Sequence, residues 1–202
     1  MSELSNVEMN VKEMMTTIIS NLSKLFHRRN YIDKPELPQK VYDSILADKF
    51  YHFEVNGKKL SIDILNIDLK NISSGSNADD YLNKNIEYHK LLIVKSFSKK
   101  TYMQIQTEYK NAEIFTIYEM LEDIPAKEFI PEHNILNDTD KAELLASFGL
   151  NELGRIYSTD IMARYYGAKV NDVFRIIRPN LNSGLSVYYR LVVPGNHEIF
   201  SL

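Results

Sequence analysis

The segment from Leu153 to Val192 constrains the fold of this chain more than any other part of its sequence. Arginines recur there at fixed spacings among short apolar runs, a pattern that predicts a small packed domain with arginines on its surface. The segment offers no convergent nucleophile, acid–base pair or metal-ligand set, so it favours a structural role over catalysis. Its motifs are Leu153-Gly154-Arg155-Ile156, Asp160, Ala163-Arg164-Tyr165-Tyr166-Gly167, Arg175-Ile176-Ile177-Arg178-Pro179 and Tyr189-Arg190-Leu191-Val192.

Composition excludes several classes of protein. A chain of 202 residues allows one or two domains, and its 44% hydrophobic content is enough for a packed core. It has no cysteine, which excludes disulfides, thiolate catalysis and cysteine-based zinc sites. No apolar stretch reaches the ~18–20 residues that span a bilayer, and the polar N-terminus does not predict a secretory signal. The scattered histidines predict no metal site, and we expect no cofactor.

Charge is distributed unevenly along the chain. The net charge is −3, whereas a chain that wraps nucleic acid by itself is usually basic. From Asn151 to Val193, however, six basic residues stand against three acidic ones, which makes this stretch +3. It is either an ordinary solvated face or a basic surface that meets an acidic partner or phosphates.

The first 130 residues predict a small α/β domain with a mixed sheet. Asn56-Gly57 predicts a tight hairpin, and a strand–helix–strand order predicts a parallel pair with a right-handed crossover. A helix with an apolar stripe is expected at the start. The predicted helices are 7–30, 37–48, 78–85 and 98–109, and the predicted strands are 50–55, 58–65, 91–94 and 112–118.

Residues 131–202 predict a second, smaller α/β domain. Two strands close it, joined by a loop rich in turn-forming residues, and the fold class of the whole chain is therefore α/β (α+β). The predicted elements are a helix at 138–148, helical turns at 153–156 and 160–164, and strands at 173–178 and 187–192.

These motifs, in this order, resemble the C-terminal assembly module of the fifth-largest subunit shared by the three eukaryotic nuclear RNA polymerases, which has an archaeal counterpart. The resemblance is strongest from Pro131 to Val193 and looser over the first 130 residues, which look like the eukaryotic N-terminal jaw domain. Archaeal relatives lack that domain, so its presence implies a eukaryotic cell or a large DNA virus with its own polymerase. The expected location is the nucleus in the first case, and host cytoplasm or virion in the second.

The resemblance implies a non-catalytic subunit that braces the largest polymerase subunit. The expected partner-binding residues are Arg155, Asp160, Arg164, Tyr165, Arg178 and Arg190. Guanidinium groups suit carboxylates and backbone carbonyls at an interface. The alternative is pairing within the domain, for example Arg164 with Asp160, or core packing for the paired tyrosines.

The resemblance also places the jaw domain beside downstream double-stranded DNA. The expected DNA-proximal residues are Arg28, Arg29, Lys95, Lys99 and Lys100. Because Ser98 opens a helix, its free amides and dipole favour phosphate. We expect weak contact that does not depend on DNA sequence, and the alternative is a plain solvated helix start.

The sequence departs from the family at three positions. Gly154 and Ile161 stand where proline is usual, and Asn171 stands where glycine is usual. Asparagine tolerates left-handed backbone better than other non-glycine residues, so that turn is expected to survive. Gly167 is expected to end a helix in the same conformation.

Two other functions stay open. Asp63, followed by Asp68-Leu69-Lys70, resembles the carboxylate pattern of Mg²⁺-dependent nucleases, in which lysine stabilises charge at the phosphate. An odd separation on one continuous strand puts Asp63 and Asp68 on opposite faces, which argues against a shared metal. The other alternative is a free-standing transcription adaptor that uses the same assembly module.

Overall fold

The N-terminal helix begins at a capping box. The computed structural model describes residues 10–180, 184–195 and 200. The Asn10 side chain accepts a hydrogen bond from the Lys12 amide at 3.1 Å, and the Glu13 carboxylate accepts one from the Asn10 amide at 3.4 Å. Helix α1 then runs from Val11 to Arg28, and its apolar stripe is buried, so the stripe is core, as predicted.

A four-stranded mixed sheet forms the centre of the first unit. The strand order is β1-β2-β3-β4, with β1 antiparallel to β2 and the other pairs parallel. Asn56 and Gly57 adopt φ of 50° and 73°, so the predicted hairpin is confirmed. The predicted parallel strand–helix–strand unit is confirmed as well. The strands are β1 (Phe50–Val55), β2 (Lys58–Leu69), β3 (His89–Phe97) and β4 (Ala112–Thr116).

Four further helices complete the first unit. Ser98 caps one of them as predicted, because its Oγ accepts the Thr101 amide at 3.2 Å. The strand predicted to reach Tyr118 ends at Thr116, because Thr116 and Glu119 form a capping box that starts a helix. The helices are α2 (Gln39–Asp48), α3 (Asn77–Asn83), α4 (Lys99–Glu108) and α5 (Ile117–Leu121).

The chain divides into two compact units, the first ending at Glu122 and the second beginning at Asp123. The second unit has a four-stranded sheet of order β5-β7-β8-β6. Short 3-10 turns lie at Ile124–Ala126 and Leu150–Glu152. The other elements are β5 (Glu132–Ile135), α6 (Asp138–Ser147), β6 (Gly154–Tyr157), α7 (Ile161–Tyr165), β7 (Val173–Asn180) and β8 (Gly184–Val193).

The sequence missed two edge strands of this sheet. The helical turn predicted at 153–156 is wrong, because these residues form β6 and pair in parallel with β8. Strand β5 was not predicted at all. The two long strands extend further than expected and stay paired to Asn180 and Gly184. Residues 181–183 of the predicted loop lie outside the described residues.

One face of the second sheet is covered by α7. Phe174 and Ile176 of β7 pack with Ile156, Ala163 and Val192 to form the core of the unit. Gly167 and Asn171, on the connection that follows α7, have φ of 65° and 77°, which confirms both predicted left-handed positions. No helix in the described part of the chain is long and apolar enough to cross a membrane.

Candidate functional site

Two predicted arginines lie on the α7-covered face of the second sheet, beyond its core. Arg178 is exposed, and its guanidinium lies 5.5 Å from the centroid of the Tyr188 ring. Arg190 is half-buried and pairs across the sheet with Phe174 of β7 and with Gly154 of β6. Both cations are therefore available at the surface of the second unit.

The opposite face of this sheet carries two more arginines. Arg155 is exposed on β6 and lies opposite Leu191. Arg175 is exposed on β7 and lies opposite Tyr189 of β8 and Asn134 of β5. Arg175 was absent from the predicted partner-binding set, although alternation along β7 places it opposite to the buried Phe174 and so on the surface.

Three of the predicted partner-binding residues act inside the unit instead. Tyr165 is only 2% exposed and belongs to the interior. Arg164 is 8% exposed, and its guanidinium lies 5.3 Å from the centroid of the Phe200 ring. The Asp160 carboxylate caps α7 by accepting the Met162 amide at 2.8 Å. Prediction of Tyr165 and Arg164 as partner contacts is wrong, because burial leaves them almost no surface to offer a neighbour.

In the first unit, Arg29 is buried in an ion pair. Its side chain is 2% exposed, and two guanidinium nitrogens donate to the Glu113 carboxylate at 2.9 and 2.7 Å. His89 Nε2 lies 2.9 Å from the same carboxylate. The prediction that Arg29 contacts DNA is therefore wrong, because both its charge and its donors are engaged inside the protein.

Opposing effects set the pKa values of this pair. Burial alone raises the pKa of the Glu113 carboxyl, but the Arg29 charge and the His89 hydrogen bond outweigh it and lower the pKa to about 2. Burial likewise disfavours the Arg29 cation, but Glu113 outweighs it and raises the Arg29 pKa. Both groups are charged at neutral pH.

The other predicted DNA-proximal residues include a set of lysines near the carboxyl ends of β2 and β3. Lys95 is exposed, and its Nζ lies 3.6 Å from the Asp68 carboxylate. Lys99 is half-buried and Lys100 is exposed in the first turn of α4. The Ser98 hydroxyl donates to the Lys70 carbonyl at 2.6 Å, which brings a fourth lysine to this edge. We call Lys70, Lys95, Lys99 and Lys100 the lysine edge. Arg28 is half-buried at the end of α1.

The nuclease-like carboxylates are separated along the sheet. The expectation that they face opposite sides is wrong: β2 is irregular between Leu65 and Asp68, so Asp63 pairs with Leu92 and Asp68 with Ser96, which share a face of β3. Leu92 and Ser96 are four residues apart, or about 13 Å at the usual strand rise. The two carboxylates of one metal centre must lie much closer together than that. Among the described residues, no group of three or more His, Cys, Asp or Glu side chains is arranged to hold a metal ion.

Comparisons with known proteins bear on the whole chain. Residues 122–192 match the family described as RNA polymerase Rpb5, C-terminal domain. DNA-directed RNA polymerase subunit 5 of Acanthamoeba polyphaga mimivirus is 27% identical over 187 residues, which are 87% of this chain and 90% of the viral one.

Cellular relatives match a shorter stretch of the chain at higher identity. The RPABC1 subunit of DNA-directed RNA polymerases I, II and III from Caenorhabditis elegans is 41% identical over 83 residues, 40% of this chain and 39% of the nematode one. Subunit Rpo5 of Thermofilum pendens is 43% identical over 75 residues, 36% of this chain and 94% of the archaeal one. The resemblance found in the sequence is confirmed, and the chain belongs to the family of RNA polymerase subunit 5, which includes Rpb5 and archaeal Rpo5.

Proposed function

We propose that this chain is a non-catalytic structural subunit of a multisubunit DNA-directed RNA polymerase. The observation that carries the proposal is the match of 87% of the chain to a viral polymerase subunit, with residues 122–192 fitting the family's C-terminal domain. The first unit then corresponds to a jaw-like domain and the second to an assembly domain, with their boundary near the predicted residue 130.

The second unit braces the largest polymerase subunit in this proposal. Exposed or half-buried arginines on both faces of its sheet support the idea, because their guanidinium groups can pair with carboxylates and carbonyls of a neighbour. The docking cations we propose are Arg155, Arg178 and Arg190 from the sequence, together with Arg175. Asp160, Arg164 and Tyr165 support the same surface from within, by capping and filling α7.

The first unit lines the downstream DNA channel, with the lysine edge nearest the phosphates. Four lysines against the single Asp68 carboxylate give this edge a charge of +3, from 4 − 1. The Ser98 hydroxyl already accepts one amide of the α4 N-terminus, so the ammonium groups carry most of the attraction. Such contacts are weak, independent of DNA sequence and sensitive to salt. Arg28 extends the same role to the end of α1.

Chemistry belongs to other subunits of the assembly in this proposal, including the Mg²⁺ and zinc that polymerases use. The separation of Asp63 and Asp68 along β3 supports this view, because one metal ion cannot be held by both. We place the assembly in the nucleus if the source is cellular, and in host cytoplasm or virions if it is viral.

Identification of the chains that co-purify with the native protein tests the proposal. The chain is tagged at its natural expression level, purified at moderate salt and analysed by mass spectrometry. We expect the two largest polymerase subunits in near-equal amounts with the tagged chain. Recovery with a transcription factor and without polymerase would favour the adaptor alternative, and DNA cleavage in Mg²⁺ that Asp68→Ala abolishes would favour the nuclease.

A further inference from the structure

A small pocket opens on the first sheet, on the side covered by α3. Its walls include Phe50 of β1, which pairs directly with Asp63 of β2, and Tyr81 of α3. The Phe50 ring lies 5.6 Å from the Tyr81 ring and 4.7 Å from the His52 ring, centroid to centroid. The cavity measures about 240 Å³, below the ~300–1,000 Å³ of pockets for drug-sized ligands, so it suits a single head group.

The pocket holds a carboxylate that no cation of the described residues neutralises. Asp63 is half-buried, and it makes no ion pair within that part of the chain. Burial outweighs a hydrogen bond from the Ile64 backbone and raises the pKa of Asp63 to about 6, so its charge is costly as the pocket stands. Asp80 adds a second carboxylate at the rim, also without an ion pair to any described residue.

The remaining charged and titratable groups of the lining leave the pocket acidic. Burial lowers the pKa of His52, so it is neutral at pH 7, and the Tyr81 hydroxyl stays protonated because burial raises its pKa. Lys84 is exposed at the rim and pairs with neither carboxylate. Two carboxylates against one ammonium leave a net charge of −1 on the lining.

We propose that this pocket, formed by Phe50, His52, Asp63, Asp80 and Tyr81, binds a guanidinium group presented by a neighbouring polypeptide. A planar guanidinium stacks on aromatic rings and donates in pairs to carboxylates, which are the two features that the walls supply. An ammonium group lacks the planar fork, and a metal ion lacks a third acidic or histidine ligand among the described residues.

A polypeptide source is favoured over a free cation by His52. The Asn85 side-chain nitrogen lies 3.3 Å from His52 Nε2, and when this amide donates, neutral imidazole carries its proton on Nδ1. Nδ1 is buried and has no hydrogen-bond partner among the described residues. A peptide-borne arginine brings a carbonyl acceptor close to its cation, which a bare guanidinium ion does not. This inference does not depend on the proposed polymerase role.

Nuclear magnetic resonance titration of the isotope-labelled full chain tests the proposal. The probe is N-acetyl-arginine-N-methylamide, compared with its lysine counterpart and with methylguanidinium. We expect saturable shifts confined to the pocket residues and tighter binding of the arginine amide than of either comparison. Equal binding of the lysine amide, or no saturable shift, overturns the proposal. A preference for methylguanidinium over the arginine amide would contradict the polypeptide source.

Matched variants separate the pocket from general acidity. Asp63→Asn should weaken binding of the arginine amide roughly tenfold, because a hydrogen bond to a charged group is lost. Asp68→Asn removes an exposed carboxylate from the same strand and should leave the affinity unchanged. Asp80→Asn should weaken binding about threefold and repeats the test if Asp63→Asn fails to fold. Unchanged affinity in both pocket variants overturns the proposal, as would a loss of binding in Asp68→Asn that matches the loss in Asp63→Asn.

Discussion

Arg29 and Glu113 form a two-pronged ion pair that joins the end of α1 to β4 across 84 residues of sequence. The Arg29 side chain is 2% exposed and the Glu113 side chain 22%. Removing one partner of such a pair leaves a buried charge without compensation, which is far more costly than losing a surface pair. The pair therefore fixes α1 against the edge of the first sheet.

Glu113→Gln should lower the free energy of unfolding by about 3 kcal/mol, because it strands the Arg29 charge. Urea unfolding at pH 7, followed by circular dichroism, measures the loss. The matched control is Asp68→Asn, which breaks a pair with Lys95 at 3.6 Å whose side chains are about half exposed. That control should cost less than ~1 kcal/mol. Equal losses in the two variants would show that the buried pair is not special.

Two carboxylates of the first unit should give stability opposite dependences on pH. Glu113 has a folded pKa of about 2, below its ordinary 4.5, so its contribution is full above pH 4.5 and is lost as pH falls toward 2. Asp63 has a folded pKa of about 6, above its ordinary 3.8, so its ionisation costs stability above pH 6 and the cost disappears as pH falls to 3.8.

Asp63→Asn should therefore stabilise the protein at pH 7.5 by about 1–2 kcal/mol, which is the full shift discounted for the solvent exposure of this half-buried group. At pH 3.5 the variant and the natural chain should unfold at nearly the same urea concentration. Unfolding curves collected from pH 3.5 to 8 measure both values. A destabilised variant at pH 7.5 would mean that Asp63 already has a favourable partner in the protein.

Local signals explain what the sequence predicted well. Asn56-Gly57 supplies the two positive φ values of the hairpin, and Ser98 caps α4 through its own side chain. Each of these features depends on residues within a few positions of one another. The same reasoning located the left-handed Asn171, whose φ is 77°.

Long-range pairing explains what the sequence missed. Strands β5 and β6 have four residues each, too few to show alternation, and only pairing with β7 and β8 makes them strands. Arg29 follows two other basic residues at a helix end, where the sequence suggests a solvated cation. Its partner, Glu113, is 84 residues away. The irregularity in β2 that puts Asp63 and Asp68 on one face also has no local signature.

Charge reversal separates docking arginines from structural ones. Glutamate at Arg155, Arg178 and Arg190 together should reduce recovery of the largest polymerase subunit at least tenfold, while the thermal unfolding temperature of the free chain changes little. Tyr165→Ala should instead lower that temperature strongly, because a fully buried aromatic is lost. If the triple variant keeps its fold and recovers the subunit normally, these arginines do not dock.

Charge reversal in the lysine edge tests the DNA role. Glutamate at Lys95, Lys99 and Lys100 should leave assembly of the polymerase intact and reduce the salt dependence of its grip on downstream DNA, since fewer phosphates are neutralised. Transcription complexes stalled on a long template and challenged with rising salt provide the measurement. Glu113→Gln is unsuitable here because it alters folding, so Asp138→Lys on α6, in the other unit, serves as the charge control. An unchanged salt response would rule out contact by this edge.

The size distribution of the native protein in gently prepared cell extract tests the central claim most directly. Gel filtration, with the chain detected by antibody and transcription assayed across the fractions, shows whether it exists as part of a large assembly. A structural polymerase subunit should elute almost wholly with a transcribing complex many times larger than its own 23.5 kDa. Elution of most of the chain at its monomer size, apart from the fractions that transcribe, would contradict the account.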